Sequence, residues 1–362
     1  MLMKKSKKKM FLAMAVANGG LNAAVTAGHV TIYDKIFARY ERPDYSVIPG
    51  IVCVDRLDSS IRREEISFYS GDVLLKGNYF SCDNPKGIVL MAHGIHAGGD
   101  DYLNIVLYFL EKNYNVFSFN YRGVYDSEGD SCVGFCESLI DVNHAINYIS
   151  SHDKYNRLPL FLFGHSWGGY AVTSVLSLQN KVKACAAVAG MHNGFTMIID
   201  KAKSYVGDFA EKSRPIFESY QKFLFGNYVN YDAVTGINNS NIPVVIAHGF
   251  DDKVIVFSKE SIVSRNNEIK NSKLKYYFGK GLQGSHNGIM FSNEAIIYQQ
   301  QLKDELKSLE KEKGRKLTQE ELQEFYKDVN HERYSEVNRE LMDLILETFD
   351  LALKQSSLLI SG

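Results

Sequence analysis

The chain has 362 residues, of which 45% are hydrophobic and 23% charged, enough to bury a large core in one α/β domain with insertions or in two small domains. Its formal net charge of −1 leaves no basic excess to neutralise phosphates, which excludes nucleic acid as the main partner. Five cysteines, at 53, 82, 132, 136 and 185, are an odd number in a long chain and argue against a disulfide framework and for a reduced, cytoplasmic setting. Reading from the N-terminus, Lys4-Lys5-Ser6-Lys7-Lys8-Lys9 followed by Met10 to Ala17 has the basic-then-apolar order of a secretory signal. Asn18-Gly19-Gly20 interrupts the apolar run well short of the roughly 20 residues that a spanning helix needs. Export, or membrane-surface contact through residues 1–28, is therefore the alternative to a cytoplasmic location. Residues 1–65 as a whole read as a lead-in.

From Ile66 the pattern changes. Ile66 to Tyr69 and Leu74 to Phe80 alternate apolar and polar residues around Ser70-Gly71-Asp72, as in an antiparallel hairpin. Gly87 to Ala92 is continuously apolar, the signature of a strand buried on both faces. Helical spacing over Tyr102–Leu110 and Glu137–Ile149 alternates with strands at Val116–Asn120 and Leu160–Phe163. A helix over Gly168–Leu178 and a strand over Ala184–Val188 continue the alternation. The rhythm breaks over residues 192–241, which are aromatic-rich short helices. It resumes with a strand at Pro243–Ala247, a helix at Ser258–Asn267 and a strand at Leu274–Phe278. This alternation predicts an α/β fold with a mostly parallel, doubly wound sheet and right-handed crossovers. The 192–241 insertion leaves from the C-terminal strand ends, where ligands bind in such sheets, and reads as a helical cap. A helical pair covering a sheet edge is the other reading. Residues 66–291 then form the core, and the charged helices beyond Phe291, with a terminal helix at Glu336–Leu353, form a C-terminal segment over 292–362 that packs on it.

Gly164-His165-Ser166-Trp167-Gly168 lies between a predicted strand and a predicted helix. That setting makes it a nucleophile elbow: the turn strains the serine backbone, glycines two residues either side remove the clash, and the hydroxyl stands above the sheet edge. A serine hydroxyl attacks poorly unless a base takes its proton and a carboxylate orients that base. In this strand order the acid and then the histidine follow the serine. His248-Gly249-Phe250-Asp251-Asp252 ends one strand with two aspartates, and Gly281-Leu282-Gln283-Gly284 leads from the last strand to Ser285-His286. The backbone N–H after the nucleophile, that of Trp167, is the first oxyanion donor, and Met91 to Gly99 is the loop that should supply a second.

These motifs resemble those of the α/β-hydrolase superfamily, on the branch of monoacylglycerol-lipase-like and serine-aminopeptidase-like esterases, over roughly residues 66–291. The resemblance implies a triad of Ser166, Asp252 and His286, with Asp251 the runner-up acid, and makes Ile95 the second oxyanion donor. Asn120-Tyr121-Arg122-Gly123-Val124-Tyr125 resembles the family's Arg-Gly loop but has Val124-Tyr125 where a second glycine is usual; Arg122 is read as a brace. His96 and His165 (the latter turned away by the elbow geometry), with Phe195 and Met197 in the insertion, are the candidate substrate-binding residues. His93, His96, Asp100 and Asp101 are not read as a metal site, because the chemistry needs neither metal nor cofactor. The expectation is a serine hydrolase that cleaves a small-molecule carboxylic ester, lipid-like or short, through an acyl-enzyme. A thioesterase or peptidase of the same fold, and a non-catalytic binding protein, are the alternatives.

Overall fold

A computed structural model describes residues 27–28, 30–31 and 33–360. The lysine tract, the apolar run after it and His29 lie outside the described residues. Eight strands form one sheet: β1 (Arg62–Ser70), β2 (Val73–Ser81), β3 (Ile88–Ala92), β4 (Asn115–Phe119), β5 (Leu160–His165), β6 (Val182–Val188), β7 (Val244–Gly249) and β8 (Leu274–Gly279). Their spatial order is β1-β2-β4-β3-β5-β6-β7-β8. The hairpin of β1 and β2 is antiparallel, β2 meets β4 antiparallel, and every pairing from β4 through β8 is parallel.

The helices follow in chain order as α1 (Leu103–Glu111), α2 (Phe135–Ser151), α3 (Trp167–Ser174), α4 (Gly194–Val206), α5 (Phe209–Lys212), α6 (Arg214–Phe225), α7 (Ala233–Ser240), α8 (Asn293–Lys313), α9 (Gln319–Tyr326), α10 (His331–Tyr334) and α11 (Arg339–Ile360). The continuously apolar strands are covered on both faces, as their composition requires. Alternate residues face opposite layers. Leu90, Leu162, Cys185 and Ile246 pack toward α2, α3 and α7, whereas Val89, Phe161, Ala186 and Val245 pack toward α1 and α11.

Between β6 and β7 the chain makes the helical excursion that the broken rhythm predicted. Its last helix, α7, lies on α3, with Gly236 so close to the Thr173 carbonyl that a Cβ would overlap it. The apolar residues of α4 and α6 serve chiefly as core: Ile199, Phe217, Tyr220 and Phe225 are buried in one cluster with Tyr33, Phe37 and Phe135. The Tyr33 hydroxyl donates to Gln221 Oε1 at 2.9 Å, tying the lead-in to the excursion.

One predicted element differs. Ser258–Asn267 is not an α-helix; turns lead into a 3₁₀ helix at Val263–Glu268. Ser261 donates to the Phe257 carbonyl at 2.5 Å and accepts from Ser264 N–H at 3.0 Å. Ser264 donates to the carbonyls of Lys259 and Ser261. Such side-chain bonds offer the backbone an alternative to the helical ladder. A bridge from Ser261 to Met191 pins the segment further.

Candidate active site

The turn from β5 into α3 puts Ser166 at φ 56° and ψ −114°, a left-handed conformation that costs a non-glycine residue about 1–3 kcal/mol and persists only when its surroundings impose it. Here they do. Ser166 N–H donates to Val188 O at 2.9 Å. A Cβ at Gly164 would overlap the Gly168 carbonyl, and one at Gly168 would overlap the Ala92 carbonyl, so strand, elbow and β3 meet backbone to backbone. The spacing of the two glycines is thus a packing requirement.

The other two triad candidates arrive on the next strands. His286 Nε2 lies 2.9 Å from Ser166 Oγ, and His286 Nδ1 lies 2.7 Å from Asp252 Oδ2. Asp252 Oδ1 accepts the N–H groups of Val254 (2.8 Å) and Ile255 (2.9 Å). Burial pushes the Asp252 carboxyl up, but hydrogen bonds from His248, His286 and the Ile255 N–H outweigh it and hold the group below the usual carboxylate range. It is an anion facing an imidazole, the arrangement that fixes a tautomer with Nδ1–H toward the acid and a free lone pair toward the serine. Asp251 is exposed, and its side chain turns toward Gly284. Geometry therefore separates the two neighbouring aspartates that nothing but the family spacing had told apart.

Trp167 opens α3, so its N–H has no partner one turn earlier in that helix. The loop after β3 lies on the nucleophile, since a Cβ at Gly94 would stand 3.4 Å from Ser166 Cβ. Neither Trp167 nor Ile95 spends its backbone N–H on a hydrogen bond among the described residues. His93 is fully buried, with Nδ1–H on the Gly94 carbonyl (2.8 Å) and Nε2 accepting Tyr121 N–H (3.1 Å). Arg122 braces the next loop through Glu137 at 2.7 Å. Asp100 is paired with Arg42, and Asp101 accepts from Gly98 N–H and the Tyr125 hydroxyl.

Two of the four candidate substrate contacts are placed elsewhere. His96 faces the lead-in, its Nε2 3.1 Å from the Ile36 carbonyl. His165 has no nitrogen left for a substrate: the Tyr102 hydroxyl donates to Nδ1 at 2.8 Å, and Nε2–H donates to the His286 carbonyl at 3.2 Å. The alternation of side chains along β5 puts it in register with Phe161 and Phe163, on the layer that holds Tyr102. Desolvation, reinforced by His286, pushes its pKa down to about 3, so the ring is neutral. Phe195 does line a cavity of about 300 Å³, with Phe135, Tyr170, Asn193 and Gln221. Met197 packs, half-buried, against the core.

Tyr102 and His248 are functional neighbours that the sequence reading missed or left generic. The Tyr102 hydroxyl accepts Gly94 N–H at 2.9 Å while donating to His165. It therefore ties the loop carrying Ile95 to the backbone of His286. His248 shares its Nε2–H between the Ile255 carbonyl (2.9 Å) and Asp252 Oδ2 (3.2 Å). A histidine four residues before the acid in a strand-ending turn was the available signal. Nothing local marked Tyr102.

Strand order, the single antiparallel β2 and an elbow after β5 define the α/β-hydrolase fold, and the chain has that fold. Residues 83–223 match the family described as "Serine aminopeptidase, S33". The chain is 27% identical over 180 residues to the lysophosphatidylserine lipase ABHD12 of Danio rerio, covering 49% of this chain and 46% of that one. It is 28% identical over 174 residues to the uncharacterized protein YfhR of Escherichia coli K12, covering 48% and 55%. The chain thus spans about half the length of the curated relatives it matches. Among solved structures, the Pyrococcus furiosus esterase Pf2001 is similar in fold, with a TM-score of 0.53 and 14% identity over 76% of this chain and 98% of that one.

Proposed function

We propose that the protein hydrolyses carboxylic esters through an acyl-enzyme on Ser166. The observation that carries this is the continuous line from Ser166 Oγ to His286 Nε2 (2.9 Å) and from His286 Nδ1 to Asp252 (2.7 Å). Ser166 Oγ attacks the ester carbonyl carbon and passes its proton to His286. The N–H groups of Ile95 and Trp167 receive the oxyanion, each worth about 3–4 kcal/mol in the transition state. Collapse breaks the bond to the alcohol, which leaves with the proton from His286, and water repeats the cycle to release the acid. Asp252 stabilises the imidazolium. No metal or cofactor enters any step.

The likeness to a lysophosphatidylserine lipase favours a lipid-type ester as the substrate class. The match to a serine aminopeptidase family favours an amide as the second reading. Labelling by a fluorophosphonate, lost in Ser166→Ala together with about 10⁶ in kcat, is the expected result. A panel of p-nitrophenyl esters of rising chain length beside an aminopeptidase substrate separates the two readings. A parent protein that takes no label and turns over no member of the panel would sink both. No helix among the described residues is long and apolar enough to cross a membrane.

A further inference from the structure

Of the nine exposed large hydrophobic side chains among the described residues, Tyr69, Phe209, Ile297 and Leu351 stand apart, but five fall within one stretch of 33 residues, 250–282. Phe250 and Val254 (43% exposed each), Val256 (38%), Phe278 (39%) and Leu282 (46%) all belong to the loop that carries Asp252, to β8 and to the loop that leads to His286. Three aromatic rings make the centre of this surface continuous: Phe250 lies 4.6 Å from Phe257 and 5.6 Å from Phe278, and Phe257 lies 5.6 Å from Phe278. An exposed apolar cluster of this kind marks an interaction surface.

Its charge says what it meets. Residues 250–282 hold seven Lys and Arg against four Asp and Glu, in a chain whose net charge is −1. Of the four acids, Asp252 belongs to the triad, Glu260 is buried and the exposed Glu268 pairs with Arg265, which leaves Asp251 as the exposed carboxylate with no such cation. Lys253 and Lys280 are exposed and have no carboxylate partner among the described residues, and Lys280 stands 5.6 Å over the Phe250 ring. Lys259, by contrast, is engaged by Asp200 and Glu260. Apolar side chains rimmed by uncompensated cations suit the boundary of an anionic bilayer, where the rings enter the acyl region and the ammonium groups meet phosphate and carboxylate headgroups.

We infer that the face formed by the 250–257 loop, β8 and the 280–282 loop docks the protein on anionic phospholipid surfaces, placing the triad at the membrane so that an ester embedded in it is presented to Ser166. The second half of this inference rests on the ester-hydrolase reading; the docking does not.

Sedimentation of the full chain carrying Ser166→Ala with phosphatidylcholine vesicles, with and without phosphatidylserine, reads docking without turnover. Binding is expected only with phosphatidylserine, falling as salt rises. With each lysine at the surface worth about 1 kcal/mol, Lys253→Gln with Lys280→Gln should weaken binding about thirtyfold. Leu282→Gln tests the apolar component with little folding risk and should also weaken it, about tenfold. On the Ser166 background these variants keep the turnover of a water-soluble ester and lose that of the same ester in vesicles. Variants that sediment like the parent would overturn the inference and give the docking to another part of the chain. Loss of self-association in the variants, measured by light scattering, would also overturn it, as a contact between copies along the β8 edge. Failure of ester turnover with docking intact would strike the hydrolase reading alone.

Discussion

At the scale of single residues, the site turns on one carboxylate chosen from two. Asp252 is buried and holds four hydrogen-bonding partners, while its neighbour Asp251 faces solvent. Asp252→Asn should therefore lower kcat by about 10⁴, through loss of the correct imidazole tautomer, while Asp251→Asn stays close to the parent. Steady-state kinetics on one soluble ester decides it, and the reverse order would reassign the acid. His165 makes a second prediction. Its pKa is pushed down to about 3 in the folded protein, whereas an unfolded chain protonates near pH 6.5. Because the unfolded state then binds more protons, the stability tied to this group is lost as pH falls from about 6.5 toward 3, costing about 2 kcal/mol at pH 5. Thermal unfolding of His165→Gln should accordingly weaken less between pH 6.5 and 5 than the parent does. Parallel curves would show that the folded ring takes up a proton in that range.

At the scale of elements, what decided success was whether a segment's own pattern outweighed its surroundings. The β3 and β5 runs are apolar without interruption and could be buried strands from composition alone. Ser258–Asn267 carries helix-compatible periodicity, yet its serines bond the local backbone and one bridges to Met191, so contacts beyond the segment set its shape. The C-terminal helix α11 was legible from its apolar spacing. Its target was not. Phe349 is fully buried against Phe161 at 4.8 Å and Phe109 at 6.1 Å, closing one face of the sheet. Phe349→Ala removes that ring from a packed core and should cost about 3–5 kcal/mol, read as a lower denaturant midpoint with turnover at low denaturant unchanged. A shift under about 1 kcal/mol would mean that α11 does not brace the sheet.

At the scale of the molecule, the parallel sheet gathers loops from the ends of β3, β5, β7 and β8 at one rim, and the triad and oxyanion candidates all come from these loops. The sequence by itself determined the elbow, because two glycines and a serine in one turn are a short-range steric solution. It determined the alternation of strands and helices, because burial on two faces leaves an uninterrupted apolar run. Only the tertiary structure decided which aspartate meets His286, that His165 joins Tyr102 to the His286 carbonyl, and that Phe250, Phe257 and Phe278 cluster with Lys280 over the Phe250 ring. The physical reason is distance along the chain. The bonds that fix the site join residues 34, 63, 120 and 121 positions apart. Such pairings follow from how crossovers stack the strands, which no local periodicity records.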